Sequence, residues 1–222
     1  LFDHSTTAQA ILERSLKRRL PIVEINDHPM VGHPLDSVIA NYREAATAAM
    51  RYLLGLGHRQ IGLVYGVAKP EMGLDRLEPY QECLRSAGLP LDPALIVPCG
   101  PAIEDGYQAA RQLLALADRP TAVVAINDLL ALGVLRAAAD CELNVPADLS
   151  VVGFDDIEMA RYLAPSLTTA SRDAVRMGRE AARLALARLQ NFDLPRRTID
   201  IPSELVIRQS SGPAPQVVRA AG

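Results

Sequence analysis

The chain has 222 residues and a net charge of −3, with 49% apolar and 22% charged side chains. That is enough for one large domain or two small lobes with cores of their own. The acidic balance, with only the short basic clusters Lys17-Arg18-Arg19 and Arg196-Arg197, argues against a surface that grips nucleic acid directly.

The start, Leu1-Phe2-Asp3-His4, lacks the basic-then-apolar pattern of a secretory signal. It also lacks an initiator Met, so the chain is read as beginning inside a longer gene product. The first basic cluster reads as the end of a helix, where cations suit the dipole. No apolar run reaches the roughly 18 residues of a membrane span. Cys83, Cys99 and Cys141 are odd in number and far apart; they fit neither a metal site nor a disulfide framework, and they point to a reducing compartment. No metal or cofactor is expected.

Strands are expected at Pro21–Ile25, Ser37–Ala40, Gln60–Gly66, Leu95–Cys99, Thr121–Ile126 and Leu149–Phe154. Runs such as Ala122-Val123-Val124-Ala125-Ile126 are apolar throughout, as in parallel strands buried on both faces. Helices are expected between them. Arg43–Leu54 ends at Gly55 and Gly57, Arg76–Ala87 at Gly88, and Glu104–Ala117 before Pro120. Asn127 is a good N-cap for a helix reaching Asp140. The alternation predicts α/β layers with right-handed crossovers. It breaks after Phe154. A short helix, Pro165, an extended Ser166–Ala170, a long helix Asp173–Gln190, and extended Arg197–Ile201 and Leu205–Ile207 follow. A late return of the chain to an earlier lobe produces such an order. The tail from Ser210 to Gly222 reads as disordered.

Ligands of open parallel sheets bind beyond the carboxyl ends of strands. There the sequence places Asn127-Asp128, Asp155-Asp156 and, past a loop, Asp75-Arg76. A carboxamide, carboxylates and a guanidinium hydrogen-bond sugar hydroxyls, carboxylates or nucleobase edges. The bland alternatives are a cap role for Asn127, a cap role for Asp155 or Asp156, and a surface charge for Arg76. Templates for phosphate loops, dinucleotide binding, nucleophile elbows and zinc proteases are absent from the sequence, which leaves enzymatic readings weak. His58 is expected to have a structural role in a turn.

Four segments carry a resemblance. Residues 48–62, ending Gly57-His58-Arg59-Gln60-Ile61-Gly62, resemble a signature of the LacI/GalR family of regulators. So do Asn127-Asp128-Leu129-Leu130-Ala131-Leu132-Gly133, Val145-Pro146 through Val151-Val152-Gly153-Phe154-Asp155-Asp156, and Pro165-Ser166-Leu167-Thr168-Thr169. The resemblance covers roughly residues 1–209. It implies an α/β fold of two Rossmann-like lobes with parallel sheets, like type I periplasmic binding proteins, joined by three crossover segments near Ala40-Asn41, Ser166–Thr169 and Pro202–Leu205. The lobes would then be 1–40 plus 167–202, and 41–166 plus 203–209, with 210–222 as the tail.

The resemblance implies a small-molecule effector, expected to be a sugar or sugar derivative, bound between the lobes by Arg76, Asn127 and Asp155. Arg76 matches a family Arg three residues before a Gly-aromatic pair, here Pro79-Tyr80. Asn26 falls where the family often has Asp and is included as a contact. Pro101 stands five residues before Gly106-Tyr107, where many relatives carry an aromatic residue. That leaves the stacking wall of those relatives without its residue. The helix Ile157–Leu163 resembles a dimer-interface segment, with Met159, Tyr162 and Leu163 as contacts in a homodimer.

Family members begin with a helix-turn-helix headpiece that enters the DNA major groove, followed by two strand–helix units. This chain is read as lacking both. Its N-terminal lobe is then incomplete and should expose apolar edges, and operator DNA would be met only through a headpiece outside the chain. The expected function is effector sensing in a cytoplasmic transcriptional regulator. A periplasmic-type sugar-binding protein for transport or chemoreception is the alternative.

Overall fold

Short apolar runs bounded by Gly, Pro or Asn form parallel strands, and the Ala- and Leu-rich stretches between them form helices. The computed structural model describes residues 6–26, 35–66 and 73–216. In chain order the elements are α1 (Thr6–Lys17), β1 (Val23–Asn26), β2 (Asp36–Asn41), α2 (Arg43–Gly55), β3 (Ile61–Gly66), α3 (Leu74–Ser86) and β4 (Ile96–Cys99). Then follow α4 (Ile103–Leu114), β5 (Ala122–Ala125), α5 (Asp128–Asp140), β6 (Ser150–Asp155), β7 (Thr168–Ser171), α6 (Ala174–Gln190), β8 (Thr198–Pro202) and β9 (Leu205–Val206). Among the described residues no helix is long and apolar enough to cross a membrane.

The chain divides into two units. Leu1–Asn41 with Asp173–Pro202 forms the smaller, and Tyr42–Arg172 with Ser203–Gly222 the larger. The chain therefore crosses at Asn41–Tyr42, Arg172–Asp173 and Pro202–Ser203. The middle crossing is a correction, because it was expected near Ser166–Thr169. Thr168 to Ser171 pair in parallel with Val152 to Asp155, so the whole of β7 belongs to the larger unit's sheet.

That sheet runs β4-β3-β5-β6-β7-β9 among the described residues, parallel except for the β7–β9 pair. Every residue of β3 and β5 is buried, as the unbroken apolar runs predict. On the sheet, α4 and α5 pack through glycines. A Cβ on Gly106 would strike the Leu130 backbone, and one on Gly133 the Ile103 and Tyr107 backbone.

The smaller unit has a three-stranded parallel sheet, β1-β2-β8. Leu12, Leu35, Val38, Met177, Leu184 and Ile201 are buried in it. Asp173 caps α6 by accepting a hydrogen bond from the Arg176 N–H (2.9 Å). Ile25 on β1 and Val175, Leu186 and Leu189 on α6 are exposed.

The tail departs from expectation. Ser210 is fully buried; its Oγ donates to the Val151 carbonyl (2.6 Å), and its carbonyl accepts from the Val151 N–H (2.7 Å). The Ala214 N–H donates to Leu56 O (2.9 Å). A small, polar segment looks disordered in sequence, but here its hydroxyls and amides satisfy the start of β6, ahead of its pairing with β7, and the end of α2. The stretch expected beyond residue 216 lies outside the described residues.

His58 belongs to this same clamp. It is fully buried, with Nε2 on the Gly212 carbonyl (3.0 Å) and Nδ1 on the Thr121 hydroxyl (2.8 Å). Burial pushes its pKa below the ordinary 6.5, with the Arg59 charge adding and the Gly212 bond opposing. A neutral ring that donates through Nε2 accepts at Nδ1. Its role is structural, as the sequence suggested.

Candidate functional site

The strands β3, β5 and β6 are neighbours, so the groups beyond their carboxyl ends are brought to one edge of the larger unit. Past β6 the chain turns sharply. Asp155 and Asp156 have φ of +113° and +48°, conformations that cost a residue with a side chain about 1–3 kcal/mol each. Several bonds hold the turn. Asp128, the first residue of α5 and fully buried, accepts from the Ile157 N–H (2.9 Å) and the Thr169 hydroxyl (2.6 Å). The Asp156 N–H reaches Thr169 Oγ1 (3.4 Å), and the Arg208 guanidinium donates to the Asp156 carboxylate (2.6 Å). Gly153 leaves room for the Asp128 carboxylate, which a Cβ there would strike. Burial pushes the Asp128 carboxyl up to about 7, opposed by its bonds to Thr169 and Ile157 and assisted by the nearby Asp155 and Asp156 charges.

Tyr42, the residue before α2, joins the rest. It is fully buried, and its hydroxyl donates to Asp155 Oδ1 at 2.6 Å. The Arg76 guanidinium lies 4.1 Å from the centroid of the Tyr42 ring and 5.6 Å from that of Phe154. The two rings meet edge to face, 5.7 Å apart. Arg76 is buried, so its cation–π contacts act in a desolvated setting, where they are strongest. Burial, then the charge and hydrogen bond of Asp155, raise the Tyr42 phenol well above its ordinary value; it remains a donor at neutral pH. The Arg172 guanidinium approaches Asp155 at 3.9 Å, beyond direct hydrogen bonding.

Of the residues singled out in sequence, Arg76 and Asp155 are brought together, each against Tyr42. Asn127 serves the fold. Its Oδ1 accepts from the Leu130 N–H (2.8 Å) as the α5 cap, and its Nδ2 donates to the Pro101 carbonyl (3.4 Å). Neither Asp155 nor Asp156 caps a helix, because the short 3-10 turn Glu158–Arg161 has Ile157 at its N-cap and no side-chain cap bond. That turn stands where a helix over Ile157–Leu163 was expected. Met159 and Tyr162 are exposed there, and Leu163 is half-buried. Asn26 ends β1 of the smaller unit.

Sequence reasoning missed Tyr42, Thr169 and Arg172. For Tyr42 one signal was available, since it follows the crossover expected near Ala40-Asn41; Arg172 flanks a crossover that only the structure locates. Among the described residues no group of three or more His, Cys, Asp or Glu is placed to hold a metal.

Residues 50–211 match the periplasmic binding protein-like domain. In structure the chain is similar to a LacI family transcriptional regulator from Enterococcus faecium with bound ribose. The TM-score is 0.84 at 31% identity, over 94% of this chain and 76% of that one. The chain belongs to the LacI/GalR family of regulators. The HTH-type transcriptional repressor PurR of Mannheimia succiniciproducens is 36% identical over 191 residues, 86% of this chain. The chain spans a little over half the length of such curated relatives, 57% in that case. A complex of the regulator CelR with cellobiose is also similar, with a TM-score of 0.77 and 29% identity over 84% of this chain and 58% of that one. What the chain carries is thus the ligand-sensing part of a family regulator. Relatives of this kind do not favour the alternative of a transport or chemoreception protein, and they are regulators rather than enzymes.

Proposed function

We propose that the chain senses a sugar or sugar derivative, and that Arg76 and Asp155 hold it at the carboxyl ends of β3 and β6. The meeting of a guanidinium and a carboxylate on one buried tyrosine is the observation that carries this reading. Such a pair offers donors and an acceptor to vicinal hydroxyls. The ribose and cellobiose of the related structures add support for the ligand class. Asn127, whose Oδ1 caps α5 and whose Nδ2 carries a second N–H beyond the bond to Pro101, and Asn26 are proposed further contacts. In this reading the chain performs no chemistry. Effector binding shifts the affinity of a cytoplasmic regulator for operator DNA, which a headpiece outside these residues contacts, by about 1–3 kcal/mol.

A thermal-shift screen with sugars, sugar acids and nucleobases tests it. A sugar at 100 times its Kd adds about 2.7 kcal/mol of stability. Arg76→Ala and Asp155→Ala each abolish the shift. A full response in both variants overturns the site, and a response confined to nucleobases overturns the ligand class.

The regulator is further proposed to act as a homodimer through Met159, Tyr162 and Leu163. Sedimentation at micromolar concentration shows a dimer, which Tyr162→Asp converts to monomer. A wild-type protein that sediments only as monomer removes the dimer from the proposal.

A further inference from the structure

Tyr42 occupies an unusual place in the chain as well as in the site. The first crossover between units lies at Asn41–Tyr42. One residue to its N-terminal side, Asn41 closes β2, in register with Pro202 of β8 at the third crossover. On its C-terminal side, the Tyr42 carbonyl accepts from the Ala46 N–H (2.8 Å) and so opens the hydrogen-bond ladder of α2. Its side chain points the other way, into the site. The phenol takes Asp155 Oδ1, and the ring lies under the Arg76 guanidinium. A single residue, fully buried, therefore has its backbone in the crossover and its side chain on both charged groups proposed to hold the effector.

We propose that Tyr42 is the positioning residue that links effector occupancy to the first crossover. This rests on the reading of Arg76 and Asp155 as effector contacts. A ligand hydroxyl that draws on Asp155 competes with the phenol for the same carboxylate. Anything bound to Arg76 alters the charge above the ring. The Tyr42 side chain then shifts or loses its partner. With its Cα at the junction of β2 and α2, that change reaches the peptide units on which the chain passes from one unit to the other. Closely packed interiors pass such displacements on rather than absorb them. Phe154, edge-on to the same ring at 5.7 Å, limits the alternatives open to the phenol. It leads directly into Asp155, so the strand bearing the carboxylate also buttresses the residue that reads it.

The link is tested without any ligand, by amide hydrogen exchange on the whole chain. Asp155→Gly removes the carboxylate at a φ of +113°, which glycine adopts freely, so the turn itself is preserved. The Ala46 amide then exchanges about tenfold faster, the worth of roughly one hydrogen bond. Tyr42→Phe, which keeps the ring and loses only the hydroxyl, gives the same acceleration. The double variant is no faster than either single one. Asp155→Asn, which keeps a carbonyl acceptor for the phenol, restores slow exchange. The Val134 amide, within α5, stays at the wild-type rate throughout. Unchanged exchange at Ala46 in Asp155→Gly overturns the proposal, as does an additive effect in the double variant or failure of Asp155→Asn to rescue. Because no effector is used, this result stands apart from the thermal-shift screen. A screen in which no sugar acts would remove the proposed ligand and leave the measured linkage in place.

Discussion

Asp36→Ala costs the smaller unit about 3–5 kcal/mol, the usual consequence of removing one partner of a buried ion pair. The Asp36 side chain is wholly inaccessible, at 0% exposure, and that of Arg188 is 11% exposed. Arg188 donates to both carboxylate oxygens from Nε (3.0 Å) and Nη2 (2.9 Å), and the Arg197 N–H adds a third bond (2.9 Å). The same guanidinium also binds the carbonyls of Phe192 (2.7 Å) and Leu194 (2.6 Å). It ties the end of α6, the loop after it and the start of β2 into one knot. Without Asp36 the cation stays buried against carbonyls alone. Chemical denaturation, followed by exchange of β2 and β8 amides, measures the loss. Wild-type stability in Asp36→Ala at pH 7 would refute it.

The same residue sets a pH dependence. Burial pushes the Asp36 carboxyl up, but its bonds from Arg188 and Arg197 and the Arg188 charge outweigh this and hold it below the ordinary 3.8. The unfolded chain therefore binds this proton more readily than the folded one. Stability from Asp36 is present above the unfolded value and is lost as the pH falls through the folded one. The gap between wild type and Asp36→Asn should be full at pH 7 and shrink progressively below about pH 4.

Gly133→Ala destabilises the larger unit by about 3 kcal/mol, at the upper end of overpacking costs. The added methyl would strike the Ile103 carbonyl and the Tyr107 N–H. Backbone atoms of α4 have no rotamer by which to give way, so the helices must part. Gly106 is constrained in the same way, against Leu130. Gly178 in α6 is the contrast, because a Cβ there meets nothing within 4 Å. Gly178→Ala should stabilise by about 0.5–1 kcal/mol, through the helix entropy that glycine forgoes. Equal effects at the two positions, measured by thermal or urea unfolding, would show that helix propensity rather than helix contact sets the cost.

Much of the fold was legible because it depends on neighbours in sequence. The unbroken apolar run of β5 reports burial on both faces. Asn127 reports the start of α5, and the Asp155-Asp156 pair reports a polar strand end. The middle crossover was misplaced because Ser166–Ala170, extended and following a proline, looks like a linker. Only its pairing with β6 makes it a strand. The tail was misread because small polar residues look alike in solvent and in a clamp. The same ambiguity hid the contrast between Asn127, whose amide is used by its own helix, and Asp155, whose carboxylate is used by a residue far away in the chain.

The residues beyond the strand ends, Arg76 and Asp155 among them, follow from the sequence by itself, because periodicity and motif place each on its own element. That the two share a buried tyrosine was decided by the tertiary structure. Tyr42 and Asp155 lie 113 positions apart, on elements that meet only when the parallel sheet has closed. Local propensity acts over a few residues and carries no information about that contact; burial of the sheet and the hydrogen bond that a buried phenol demands supply it.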